Sequence, residues 1–112
     1  MRLKPALIAI VVLACASVAS IAAETISISQ RNHQFAPTTL TIAPGTIITI
    51  MNDDRVSHHV NIDQPDMKFD SGEQKVGHDV TLRFDREGRF AVRCAIHPTM
   101  HLDIAVEAPK AH

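Results

Sequence analysis

The sequence contains no tryptophan and no tyrosine, and only four phenylalanines. A relay of Tyr or Trp side chains leading to a redox centre is therefore excluded. Cysteine is scarce as well, with two in 112 residues. Basic charge is not in excess: 11 Lys and Arg stand against 12 Asp and Glu. A chain of this balance has no electrostatic reason to hold nucleic acid or an anionic membrane. Beyond Ala23 the helical period is missing too, and a length of 112 residues leaves room for one domain.

The N-terminal segment reads as an address. Arg2 and Lys4 precede an apolar run from Ala6 to Ala16, and small residues continue to Ala23. A charged start, a short apolar stretch and small residues mark a secretory signal peptide. Ser20-Ile21-Ala22 supplies the cleavage site, with Ala19 and Ala23 as alternatives, giving a leader of residues 1–22 and a mature domain of 23–112. The apolar run is short for a bilayer span, which needs about 20 apolar residues. Val12-Leu13-Ala14-Cys15 matches a lipid-anchor motif poorly. The expectation is an exported, periplasmic protein without a membrane span in its mature form. Losing Arg2 and Lys4 leaves 9 basic against 12 acidic residues. That acidity favours a basic partner protein.

Cys15 leaves with the leader, so Cys94 stands alone in the exported chain. It has no partner for an intramolecular disulfide. A lone exported thiol points to intermolecular pairing, a reactive group or a metal ligand.

The mature chain is a series of short β-branched runs separated by turns. Ile26 and Ile28 alternate with Thr25, Ser27 and Ser29, and Leu40 and Ile42 with Thr39 and Thr41. Ala43-Pro44-Gly45 is a turn before a strand at Thr46 to Met51, and Asn52-Asp53-Asp54 is a polar break. A strand is expected from Val56 to Ile62, then a polar connection from Asp63 to Gly77. Val80, Leu82 and Phe84, then Phe90, Val92 and Cys94, then Leu102, Ile104 and Val106 form three more alternating sets. The pattern predicts an all-β Greek-key sandwich or barrel of about seven strands.

Strand parity orients the chemistry, because successive side chains face opposite ways. Cys94 shares the inward face of Phe90 and Val92. His58 shares a face with Val56, Val60 and Ile62, while His59 shares the polar face with Asn61 and Asp63. Met100 shares the face of Leu102 and Ile104.

The segment Cys94-Ala95-Ile96-His97-Pro98-Thr99-Met100 then places a thiolate, an imidazole and a thioether three residues apart in one loop. Soft sulfur with imidazole selects copper, and two His, one Cys and a weak axial Met form the blue-copper electron-transfer set. The inward-facing His58 is the natural second imidazole. Each donor has a plainer reading: Cys94 as an inert core thiol, His97 as a loop histidine, Met100 as core. The spacing that joins them argues for ligands.

These residues resemble the cupredoxin family of type 1 blue copper proteins, plastocyanin- and amicyanin-like, with an amicyanin-type C-x-x-H-x-x-M loop. Ser57-His58-His59-Val60 resembles the family's P-H-N-V segment, and the distance from Gly45 to His58 fits the plastocyanin pattern. Phe35-Ala36-Pro37 resembles the F-x-P entry, and Phe69-Asp70-Ser71-Gly72 the F-D-x-G segment. The resemblance covers residues 24–107 and implies one type 1 copper held by His58, Cys94, His97 and Met100. Departures occur at His59, where the family has Asn, and at Ser57, where it has Pro. The implied role is one-electron transfer between redox partners, a cytochrome or a dehydrogenase, by a monomer that is not an enzyme. The alternative is a periplasmic copper binding and delivery protein without electron transfer. A thiol enzyme using Cys94 with His97 or His58 as base is disfavoured, since so small a domain leaves little room for a cleft.

By the same resemblance, electrons pass at the His97 edge, in an apolar ring of Pro44, Ile96, Pro98 and Pro65. Asp53, Asp54, Asp63 and Asp66 read as solvated turn residues or an acidic docking patch. His33, His78, His101 and His112 read as surface residues, and Met51 and Met67 as packing.

Overall fold

The alternating runs pair into two sheets in the computed structural model, which describes residues 23–109. The expected leader, its Cys15 and His112 lie outside the described residues. Nine strands occur among the described residues: β1 (Thr25–Arg31), β2 (Gln34–Ala36), β3 (Thr39–Ile42), β4 (Thr46–Asn52), β5 (Val60–Gln64), β6 (Met67–Asp70), β7 (Asp79–Phe84), β8 (Gly88–Cys94) and β9 (His97–Val106). One sheet runs β2-β1-β4-β7 and the other β3-β9-β8-β5-β6. Two neighbouring pairs, β1 with β4 and β3 with β9, are parallel. This is the expected all-β Greek-key sandwich. No helix among the described residues is long and apolar enough to cross a membrane.

Period-2 patterning sets the core. Along β4, Thr46, Ile48, Ile50 and Asn52 are buried, and the residues between them are half-buried. Ile28 from β1, Phe90 and Val92 from β8, and Leu102 and Ile104 from β9 meet Ile48 and Ile50 in one cluster. Phe84 and Phe90 pack with ring centroids 5.4 Å apart.

Two strands beyond the expected count come from short segments. β2 follows a tight hairpin at Asn32 and His33, both left-handed, with φ of 54° and 57°. Such turns usually carry glycine, so an Asn-His pair gives little signal. β6 lies inside the segment read as a polar connection. Met67 and Phe69 alternate there with Lys68 and Asp70 over only four residues, and pair with β5.

One expected strand starts late. The chain is not regular from Val56, and β5 begins at Val60. Polar side chains hold the preceding segment as a loop: Asn52 donates through Nδ2 to the Val56 carbonyl at 2.9 Å. His58 instead makes an isolated bridge to Gln74, with backbone bonds of 2.9 and 2.7 Å in the two directions. The bridge keeps the expected alternation, so His58 is fully buried while the His59 side chain is 23% exposed.

The register assigns each loop to an end of the sandwich. Asn52 at the end of β4, Val60 at the start of β5, Cys94 at the end of β8 and His97 at the start of β9 lie at one end. Thr46 pairs with Phe84, and Gly88 with Val106, at the other.

Candidate metal centre

Three elements converge at the first end. β8 delivers Cys94, 1% exposed, and pairs it with His97 across a register shift. The bridge to Gln74 presents His58 from the opposite side. The three donor atoms face one point: His58 Nδ1 and His97 Nδ1 are 3.2 Å apart, and Cys94 Sγ lies 3.8 and 3.6 Å from them. A point equidistant from all three is about 2 Å from each, the length of metal bonds to imidazole and close to that of metal–thiolate bonds. Among the described residues, His58, Cys94 and His97 are the group whose ligand atoms lie close enough together to hold one metal ion. Met100, 1% exposed, sits on β9 three residues beyond His97 and faces inward.

Protonation suits metal binding. Burial, with His33 and His58 adding to it, holds the His97 imidazole below its ordinary pKa and so favours its neutral form. A neutral imidazole is the form that binds a metal. The thiol sulfur accepts the backbone N–H of His59 at 3.3 Å. The same residue's carbonyl accepts the Ala95 N–H at 3.1 Å, so the backbone ties the His58–His59 segment to the Cys94 loop. The His59 side chain plays no part in this and turns outward to pair with Asp70.

The second sphere corrects the sequence reading at several positions. Asp54 is neither a solvated turn residue nor part of a surface patch. It is 9% exposed, and its Oδ2 lies 2.9 Å from His58 Nε2. The His33 and Arg55 N–H groups, then the His58 ring, hold its carboxyl well below the usual carboxylate range, against the opposing effect of burial. Asp53 accepts the Ser29 hydroxyl at this end. Asp63 pairs with Lys68, and Asp66 lies in the β5–β6 turn at the far end, so the four acids form no common patch. His33 is exposed as expected, but its ring stands 4.5 Å from that of His97, centroid to centroid. Asn52 and Gln74, read as loop residues, are buried braces: the Asn52 amide reaches the Val56 and Gln74 carbonyls, and the Gln74 amide the Ile50 carbonyl.

The expected apolar ring is corrected as well. Ile96 and Pro98 flank His97 and are exposed. Pro44 belongs to the other end, where the neighbouring Gly45 N–H donates to Phe84 O at 2.7 Å. Pro65 sits at that end too, in the β5–β6 turn. Among the described residues, the exposed large hydrophobics are Val56, Val76 and Ile96, all on loops at the metal end.

A buried thiol and two imidazoles on a Greek-key sandwich define a β protein built around one soft-metal centre. Comparison with known proteins gives the family. Residues 5–106 match the cupredoxin-like domain family. The methylamine utilization protein MauL of Methylophilus methylotrophus is 34% identical over 80 residues, covering 69% of this chain and 46% of that protein. The chain thus spans less than half the length of that relative. A reduced amicyanin carrying one Trp-to-Tyr substitution superposes with a TM-score of 0.70 at 20% identity, over 79% of this chain and 87% of amicyanin. The copper-containing nitrite reductase of Thermus scotoductus SA-01 gives a TM-score of 0.69 at 23% identity, over 77% of this chain and 23% of the reductase. The likeness to these two structures is one of fold. The chain belongs to the cupredoxin family. Its cofactor is a single type 1 copper ion, which the His, Cys and His donor triangle fits.

Proposed function

We propose that this chain is an exported one-electron carrier whose copper is bound by His58 Nδ1, Cys94 Sγ and His97 Nδ1, with Met100 as the weak axial donor. The donor triangle carries the reading, since its three separations already suit one ion. Bound there, copper supplies a reversible Cu(II)/Cu(I) couple. The protein's part is to keep the donors in place as one electron arrives and leaves. His58 is fixed by two backbone bonds to Gln74, and Cys94 by the ladder of β8. The backbone N–H of His59 meets the charge on sulfur. His97, half-exposed, is the ligand at the surface and so the point of electron entry and exit.

Export rests on the leader of residues 1–22, and the mature domain is 23–112. The partners are other redox proteins. Val56, Val76 and Ile96, exposed at the metal end, support apolar docking near His97. The donors are committed to the metal, and the role needs no substrate of its own. That MauL is a methylamine utilization protein supports a dehydrogenase or cytochrome circuit as the setting. Cyclic voltammetry of the copper-loaded protein tests the carrier role against copper delivery. A reversible one-electron wave supports the carrier. A site that holds Cu(I) without such a wave supports delivery.

A further inference from the structure

Behind the donor triangle lies a buried polar layer. Of the six buried polar side chains among the described residues, only Thr46 lies at the far end; Gln30, Asn52, Asp54, His58 and Gln74 are at the metal end. Asp54 is the acid among them, and it is placed with unusual care. Its Oδ2 meets His58 Nε2 and the His33 N–H, both at 2.9 Å. Its Oδ1 accepts the Arg55 N–H at 2.9 Å, and its own N–H donates to Asn52 Oδ1 at 3.0 Å. The left-handed turn at Asn32 and His33 brings the His33 N–H to the carboxylate.

The contact is on the far nitrogen of the ligand. His58 turns Nδ1 to the donor triangle and Nε2 to Asp54. A carboxylate accepts but does not donate, so the ring proton is on Nε2 and the lone pair on Nδ1. A carboxylate on the far nitrogen orients the ring and raises the basicity of the ligating one.

We infer that Asp54 is a positioning residue that sets the reduction potential of the site, by holding a negative charge against His58 and favouring Cu(II) over Cu(I). This rests on the copper reading above and deepens it. The site takes one electron from a partner and passes one on. No proton moves within the pair, because the carboxylate accepts the same hydrogen bond in both states. The carboxylate's field falls on a dication in one state and a monocation in the other. The pair therefore stabilises the oxidised form more, and the potential is lower than it would be with a neutral residue at 54.

The test compares copper-loaded wild type, Asp54→Asn and Asp53→Asn by spectroelectrochemical titration. Asp53 is exposed and adjacent in sequence, so its variant removes the same charge without the bond to His58. For Asp54→Asn the preference for Cu(II) over Cu(I) falls about tenfold, which for one electron raises the potential by ~59 mV. For Asp53→Asn the shift is a small fraction of that. Equal shifts in the two variants, or no shift in Asp54→Asn with its blue band intact, overturn the inference. A wild type with no thiolate band overturns the copper reading, and the inference with it. Nitrogen-15 NMR of the diamagnetic Cu(I) wild type gives a readout independent of any variant. It shows the His58 proton on Nε2 and protected from exchange; a proton exchanging freely with water contradicts the inference.

Discussion

The imidazole of His33 stands nearly perpendicular to that of His97, at 81° with centroids 4.5 Å apart. An exposed residue on the β1–β2 turn thus stands against His97, the proposed ligand that faces solvent. Its positive character, when protonated, opposes a second charge on His97. In the metal-free protein, His33→Ala raises the His97 pKa toward the ordinary imidazole value of 6.5, as followed by NMR titration of its ring protons. An unchanged His97 titration removes His33 from the site.

The metal-free protein weakens in acid for two linked reasons. His97 takes its proton less readily in the fold than in the unfolded chain, whose imidazole titrates near 6.5. Below that pH the unfolded state binds more protons, so stability falls as pH falls. Asp54 has a depressed folded pKa, so its contribution is present above the unfolded value of 3.8 and is lost as pH drops through and below it. Urea midpoints of the metal-free protein are expected to decline from pH 7.5 to 5.5, with a flatter slope in His97→Gln. Equal slopes in the two proteins would leave His97 out of the account.

Met100 has two roles to separate. It is buried in the core cluster, and its truncation to Ala costs about 2–5 kcal/mol of metal-free stability. The proposed axial role predicts more. Met100→Ala is expected to keep the blue band, which belongs to the thiolate, while shifting the potential and the paramagnetic hyperfine pattern. A change in stability with both spectroscopic quantities fixed would make Met100 a packing residue alone.

Much of this was legible in the chain, and the residues show where legibility stops. The loop from Cys94 to Met100 is local, so spacing alone placed Cys94 beside His97 and turned Met100 inward. The inward orientation of His58 followed from alternation even though its segment is a bridge rather than a strand, because the bridge preserves period-2 parity. Asp54 was hidden. Its sequence neighbours Asn52 and Asp53 make it look like one more residue of a solvated turn. Its carboxylate is held by the His33 N–H, from a different turn, and no one-dimensional pattern encodes that contact. A carboxylate four residues before an inward His was the one clue. Pro44 and Pro65 were misplaced because proximity to the site depends on which end of a strand a turn caps. β4 spans about 20 Å between its ends.

The central claim is that one copper ion sits among His58, Cys94 and His97, with His59 outside the site. Visible absorption of the purified protein titrated with Cu(II) tests it most directly, repeated for His58→Ala and His59→Ala. Wild type and His59→Ala develop an intense blue thiolate band at one equivalent of copper, which bleaches on reduction, and His58→Ala loses or greatly weakens it. A colourless wild-type complex, or a band that survives in His58→Ala and vanishes in His59→Ala, would contradict the assignment.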